Sequence, residues 1–133
     1  MKKLVVCGKR KTAVAKATIE EGNGEIYFNK SPLTFLPKLK QLELLEPILI
    51  AKEILKKIEF KVNLNVSGGG SSSQVEAARL ALARAIVKFT KNKDLKNAFI
   101  GYDRNLFVAD TRRIEVCKPG DSKARAMRQS SKR

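Results

Sequence analysis

Apolar and polar residues alternate along some stretches of the chain and recur at helical spacing along others. Leu4–Cys7 and Ala13–Ile19 read as strands, the second with alternation. Glu21-Gly22-Asn23-Gly24 is a turn signal and Glu25–Phe28 a returning strand, so residues 13–28 predict a hairpin. Asn29-Lys30-Ser31-Pro32 breaks it. Leu33 to Leu55 is helical in character, with apolar residues at Leu39, Leu42, Leu45, Ile48, Leu49 and Leu55. Pro47 suits a first helical turn, which predicts two helical pieces there. Phe60-Lys-Val62-Asn-Leu64-Asn-Val66 alternates cleanly and predicts a strand with one buried face. After a Gly/Ser run, a helix is predicted over about 73–91, with Val75, Ala78, Leu82, Ala85, Ile86 and Phe89 inward. Its alanines would let it lie close to a sheet.

Asp94–Gly101 predicts a short helix, and Leu106–Ala109 a short helical or extended segment. From Asp110 onward apolar residues lose their period, and from Lys118 there are too few to pack alone. The order β-β-α-β-α followed by a tail implies an α+β fold, a two-layer sandwich of helices on a mostly antiparallel sheet. The expected division is a globular domain over 1–110 and an extended basic tail over 111–133.

Composition changes the picture chiefly through charge. The 133 residues include 28 Lys and Arg against 13 Asp and Glu, a net charge of +15. A compact chain repels itself at such charge, so a polyanionic partner is the usual reason to carry it. Residues 1–16 hold six basic groups and no acid, and residues 111–133 carry a net +6. The middle of the chain is nearly balanced.

Gly8-Lys9-Arg10-Lys11-Thr12 places three adjacent cations between strand segments, where they reach phosphates or simply solvate an edge. The run is not a nucleotide-binding P-loop. That motif needs a Gly where Lys3 stands and a Ser or Thr where Arg10 stands. Gly68, Gly69, Gly70 and Ser71 lie in a strand–turn–helix passage, Ser67–Gln74. Free amides and the helix dipole make such a turn an anion site, and ATP or an RNA backbone would both fit. The plain reading is a turn with a Ser N-cap. Arg84, Lys88 and Lys91 share a helix face, which reads as a solvated face.

The tail carries Arg112, Arg113, Lys118, Lys123, Arg125, Arg128, Lys132 and Arg133, mixed with small polar residues. Arg offers planar, bidentate donors to phosphate, and a basic tail can thread into folded RNA where a globule cannot fit. Asp110 and Glu115 read as partners for Arg112 and Arg113, and Asp103 stands beside Arg104. Enzyme chemistry is poorly supported: the chain has no His and no paired-carboxylate spacing, and Cys7 and Cys117 form no metal-binding pair. They fit a reducing, intracellular setting. No apolar run reaches about 18 residues, so no membrane partner is expected.

Taken together, several stretches resemble one family, the small-subunit ribosomal protein S-nine family. They are Gly8–Ala15, Tyr27–Leu33, Val62–Val66, Ser67–Gly70 with Gln74, Ala77–Ala85, Asp110–Glu115, Lys123–Arg125 and Ser131–Arg133. The resemblance spans essentially the whole chain in collinear order. Gly101–Arg104 and Val108–Asp110 resemble the archaeal and eukaryotic branch, although the chain ends Ser-Lys-Arg where that branch usually ends Ser-Tyr-Arg. The resemblance implies a fold like the second domain of ribosomal protein S-five, with a left-handed β-α-β crossover. It implies a structural protein of the small-subunit head, without cofactor, catalysis or small-molecule substrate, among neighbouring head proteins. On that pattern Lys132 and Arg133 meet peptidyl-site tRNA. Lys9, Arg10, Lys11, Arg112, Arg113, Lys123, Arg125 and Arg128 face ribosomal RNA, to which the chemistry of the residues adds Lys118 and the Gly68–Ser71 turn. The alternative is a small-molecule kinase-like domain holding a nucleotide on the Ser67–Gln74 loop.

Overall fold

The computed structural model describes residues 3–126. Its first two strands, β1 (Leu4–Arg10) and β2 (Ala13–Glu21), form the hairpin, turning at Lys11-Thr12. Leu4 pairs with Ile19 and Arg10 with Ala13, so Gly8, Lys9 and Arg10 belong to the strand rather than to a loop. The hairpin expected over 13–28 does not form. β3 (Ile26–Phe28) instead runs parallel to β5 (Phe60–Ser67), and β5 pairs antiparallel with β2. The Gly22–Gly24 turn explains the misreading. Its amides donate to the carbonyls of Glu59 and Phe60 at 3.3 and 3.0 Å, so it reverses the chain around the start of β5. A two-residue β4 (Ser31–Pro32) folds back on β3. The sheet order is β1-β2-β5-β3-β4, antiparallel except at β3–β5.

Three helices pack on this sheet: α1 (Lys38–Leu55), α2 (Ser71–Thr90) and α3 (Lys93–Tyr102). The fold is therefore the expected α+β arrangement of helices on a mostly antiparallel sheet. Strand β3, helix α1 and strand β5 make its parallel crossover unit. α1 is one continuous helix, not two, because Pro47 is buried with Leu44, Ile48 and Ala51, and that packing holds the helix through the missing amide. The other apolar stripe of the helix, with Leu39, Leu42 and Leu49, is left exposed.

α2 begins at Ser71, two residues earlier than predicted, and lies against β1 and β2. The predicted inner face holds, with Val75, Ala78, Leu82, Ala85 and Ile86 buried. Phe89 is half-buried, edge-on to Phe60 at 6.3 Å. The alanines matter most at the crossing with β1. A Cβ on Gly8 would stand 2.4 Å from the Ala77 carbonyl oxygen and 2.7 Å from the Ala81 amide nitrogen. Helix and strand thus touch backbone to backbone, which only a Gly opposite Ala permits. Among the described residues no helix covers the other face of the sheet. Along β2 the buried residues Ala13, Ala15, Ala17 and Ile19 alternate with Val14, Lys16, Thr18 and Glu20 on that open side.

Candidate nucleic-acid interface

The Lys9–Lys11 run, the Gly68–Gly70 loop and the tail root at Asp110 meet at one end of the sheet. The end of β1 supplies Lys9 and Arg10, and the β1–β2 turn supplies Lys11. Lys9 and Lys11 are exposed, and Lys11 holds a left-handed φ of 52° at the tip. The Gly68–Gly70 loop lies directly against this turn. Gly68 has φ 76° and Gly69 φ 66°. A Cβ on Gly68 would meet the Thr12 carbonyl oxygen at 2.7 Å, and one on Gly69 would meet Ala13 at 3.0 Å. These two glycines are therefore needed by the fold, whatever binds nearby. Gly70 differs, with nothing within 4 Å of its Cβ position. It is the N-cap of α2 and makes no side-chain cap bond, and the first turn holds no acid. The amides of Ser71 to Ser73 thus keep the donor character of an uncapped helix start. Gln74 Nε2 ties the loop down by donating to the Gly68 carbonyl at 3.1 Å.

The tail leaves the body beside the same turn. After α3 a 3-10 turn, Arg104–Leu106, buries Leu106. Arg84 then fixes the departing chain, donating through Nε to the Phe107 carbonyl at 2.8 Å and weakly to the Cys7 carbonyl at 3.4 Å. Arg84 is therefore a half-buried tie between α2, β1 and the tail root, and not the solvated cation its helix face suggested.

At Asp110 the chain is knotted to the body. Arg10, with a side chain only 17% exposed, pairs with Glu76 of α2 and with Asp110. Asp110 also accepts from the Arg112 backbone amide at 2.8 Å and from its guanidinium Nη2 at 2.7 Å and Nε at 3.0 Å. The Arg112 hydrogen bonds, helped by the nearby Arg10 charge, hold the Asp110 carboxyl well below the usual carboxylate range. The hydrogen bond to Glu76 raises Arg10 in turn. A second Arg-centred set, Arg79 with Glu46 and Asp103, links α1, α2 and the end of α3. Asp103 therefore pairs with Arg79 rather than with the adjacent Arg104. A cleft of about 380 Å³ between the two sets is lined by both signs of charge.

Beyond Asp110 the described tail has no helix or strand, and Ile114 and Val116 are 73% and 85% exposed. Arg113 donates to the carbonyls of Asp110 and Arg112, not to Glu115. Glu115 instead accepts from Arg125 at 2.8 Å. Lys118 and Lys123 are exposed. Arg128, Lys132 and Arg133 lie outside the described residues. Among the described residues no group of three His, Cys, Asp or Glu could hold a metal ion, and no helix is long and apolar enough to cross a membrane.

Residues 8–133 match the family described as ribosomal protein S9/S16. The chain belongs to that family. It is 48% identical over 136 residues to the small ribosomal subunit protein uS9 of Methanococcus vannielii, covering 100% of both chains. The protein of the same name from Methanococcus maripaludis is likewise 48% identical over the full length of both. The resemblance read from the sequence, archaeal character included, is borne out. Sequence reasoning missed Glu76 and Arg79 as members of this S9/S16 protein's site. Glu76 does follow the Gly/Ser loop at a spacing that places it in the second turn of α2, but nothing local pairs it with Arg10, 66 positions away.

Proposed function

We propose that the protein is a structural constituent of the small subunit of the cytoplasmic ribosome, binding ribosomal RNA in the head and reaching peptidyl-site tRNA with the end of its tail. The observation that carries this is the convergence of the Lys9–Lys11 turn, the Gly70–Ser71 helix start and the Arg112–Arg113 tail root on one end of the sheet, in a chain that matches uS9 proteins along its whole length. Lys9, Lys11, Arg113, Lys118 and Lys123 supply charge that pairs with no carboxylate among the described residues. Arg112 and Arg125, with side chains 78% and 88% exposed, exchange their carboxylate partners for phosphate. Arg10 serves mainly by holding the tail root in register. Gly68 and Gly69 shape the loop, and Gly70 and Ser71 present amides to a phosphate. Lys132, Arg133 and Arg128 extend the same chemistry along the tail, with Lys132 and Arg133 meeting tRNA. None of this requires a cofactor or a reaction.

Salt titration tests the reading. Binding to small-subunit RNA should weaken linearly in log–log form, with a slope of about 0.7–0.9 per phosphate neutralised. Deleting Lys118–Arg133 should lower affinity and flatten that slope. An unchanged slope would remove the tail from the interface. Arg133→Ala should weaken tRNA binding in the peptidyl site while subunits still assemble. Assembly failing as badly as with the whole tail removed would overturn the division between tail stem and tip.

A further inference from the structure

The open face of the sheet lies outside the site described above, and its residues are poorly explained by the fold. β5 is a central strand, paired on both sides, yet its outward positions are Lys61, Asn63 and Asn65. Asn is disfavoured in strands, where β-branched and aromatic residues pack better. Across the sheet Asn63 stands between Thr18 of β2 and Tyr27 of β3, and Asn65 stands opposite Lys16. The Asn63, Asn65 and Thr18 side chains make no hydrogen bond within the described residues. An open depression of about 480 Å³ lies over this row.

The charge on this face is one-sided. Glu20 is paired with Lys3 at 3.7 Å and Glu25 with Lys61 at 3.2 Å, and Lys61 also lies 5.0 Å from the centre of the Tyr27 ring. Lys16 and Lys30 have no carboxylate partner among the described residues. Lys30 sits in the β3–β4 turn with φ 68°, beside Asn29 at φ 48°, a geometry in which glycine is the ordinary choice. Fold requirements alone would favour other residues at Lys30, Asn63 and Asn65.

We propose that the open sheet face is a second nucleic-acid surface, on which Asn63, Asn65 and Thr18 hydrogen-bond the edges of unpaired RNA bases while Lys16 and Lys30 hold the flanking phosphates. Side-chain amides offer the paired donor and acceptor that base edges require. The four neighbouring strands β1, β2, β5 and β3 span roughly 14 Å, a width on which other open sheets seat two or three splayed bases. The uncompensated lysines select a polyanion. The proposal rests on the ribosomal RNA reading but uses residues separate from the turn, the loop and the tail.

The test uses the full chain and a labelled decauridylate or decaadenylate RNA, with a polyglutamate peptide as a second probe. Asn63→Val with Asn65→Val places better strand formers at both positions, so the thermal midpoint should hold or rise. RNA affinity should nevertheless fall about tenfold, with no change in salt slope because the lost contacts are uncharged. Lys16→Gln should weaken binding and reduce the slope by roughly 0.7. Affinity within twofold of wild type in the double variant, together with loss on tail deletion, overturns the proposal and leaves the tail reading standing. Absence of RNA binding by the wild-type chain would sink both. If the double variant loses polyglutamate but keeps RNA, the face belongs to a protein partner and the proposal fails.

Discussion

Replacing Gly8 by Ala tests whether the helix–strand crossing sets the architecture. The new methyl would lie 2.4 Å from the Ala77 oxygen and 3.0 Å from the Ala81 Cβ. Ordinary spacing requires α2 to retreat by about 1 Å, which forfeits a quarter to a half of each affected contact across the interface. The neighbours that lose contact include Val75, Ala78, Leu82 and Ile86, all buried. Neither partner can yield alone, because both atoms nearest the methyl are backbone. Overpacking of this kind costs about 1–3 kcal/mol, and the loosened helix adds to it, giving a net loss of about 3 kcal/mol. For a chain of this size that is a fall in Tm of roughly 10 °C. The sign is the sharp part. Gly→Ala at a compatible position stabilises by about 0.4–1 kcal/mol. Gly101 provides that control: it lies in α3 with nothing within 4 Å of its Cβ position, so Gly101→Ala should raise stability by up to about 1 kcal/mol. Urea melts of the two variants, with m-values compared, measure both. If Gly8→Ala is neutral or stabilising, the close approach does not govern how α2 sits.

Four further outcomes follow from the site and the core. Asp110→Asn should free the tail root, so that trypsin cuts at Arg112 and Arg113 several times faster while residues before Arg104 stay resistant; equal rates would mean that Arg84 and Leu106 hold the root unaided. The Asp110 carboxyl is depressed from an ordinary value of 3.8, so its contribution is complete above that pH and is lost only as pH falls through the lower folded value; protection of the root against hydrogen exchange should be flat from pH 8 to pH 5 and vanish only in stronger acid. Leu44→Ala, at 0% exposure, should cost about 2–5 kcal/mol, whereas Leu39→Ala, at 77%, should stay within about 0.5 kcal/mol, and equal losses would show that α1 presents a different face. Lys11→Gly should relieve the left-handed turn and raise stability by up to about 1 kcal/mol while lowering RNA affinity, and a gain in both would remove Lys11 from the interface.

The sequence shows some of these features and hides others for identifiable reasons. β5 and α2 are legible because each has one dominant period, and their inner residues are the buried ones. The α1 segment carries two competing apolar stripes. One contains Leu44, Ile48 and Ala51, the other Leu39, Leu42 and Leu49, and nothing within the helix says which meets the rest of the core. The pairing of β3 with β5 is hidden for another reason: a Gly-rich turn marks a reversal but not the strand that later inserts into it. Among the site residues, the cations of the turn and tail were visible as charge, and the pairing of Asp110 with Arg112 as proximity. The roles of Arg10 and Arg84 were not visible, because Glu76 and the Phe107 carbonyl come to them only through tertiary packing.

The anchoring of the tail at Asp110 has a consequence best put in polymer terms. A tether of 23 residues confines its tip to within roughly 80 Å of its root. On the function proposed above, with the body seated on ribosomal RNA, a fixed root converts the encounter of the tip with tRNA from a bimolecular search into an intramolecular one. On that proposal the local concentration of Arg133 at the tRNA is set by where Asp110 is pinned and by the length of chain between the two. Releasing the root back to Leu106 would add four residues to the tether, widening the volume explored and diluting the tip at every point within it. The Arg10–Asp110–Arg112 knot thus acts as the origin of a measuring line.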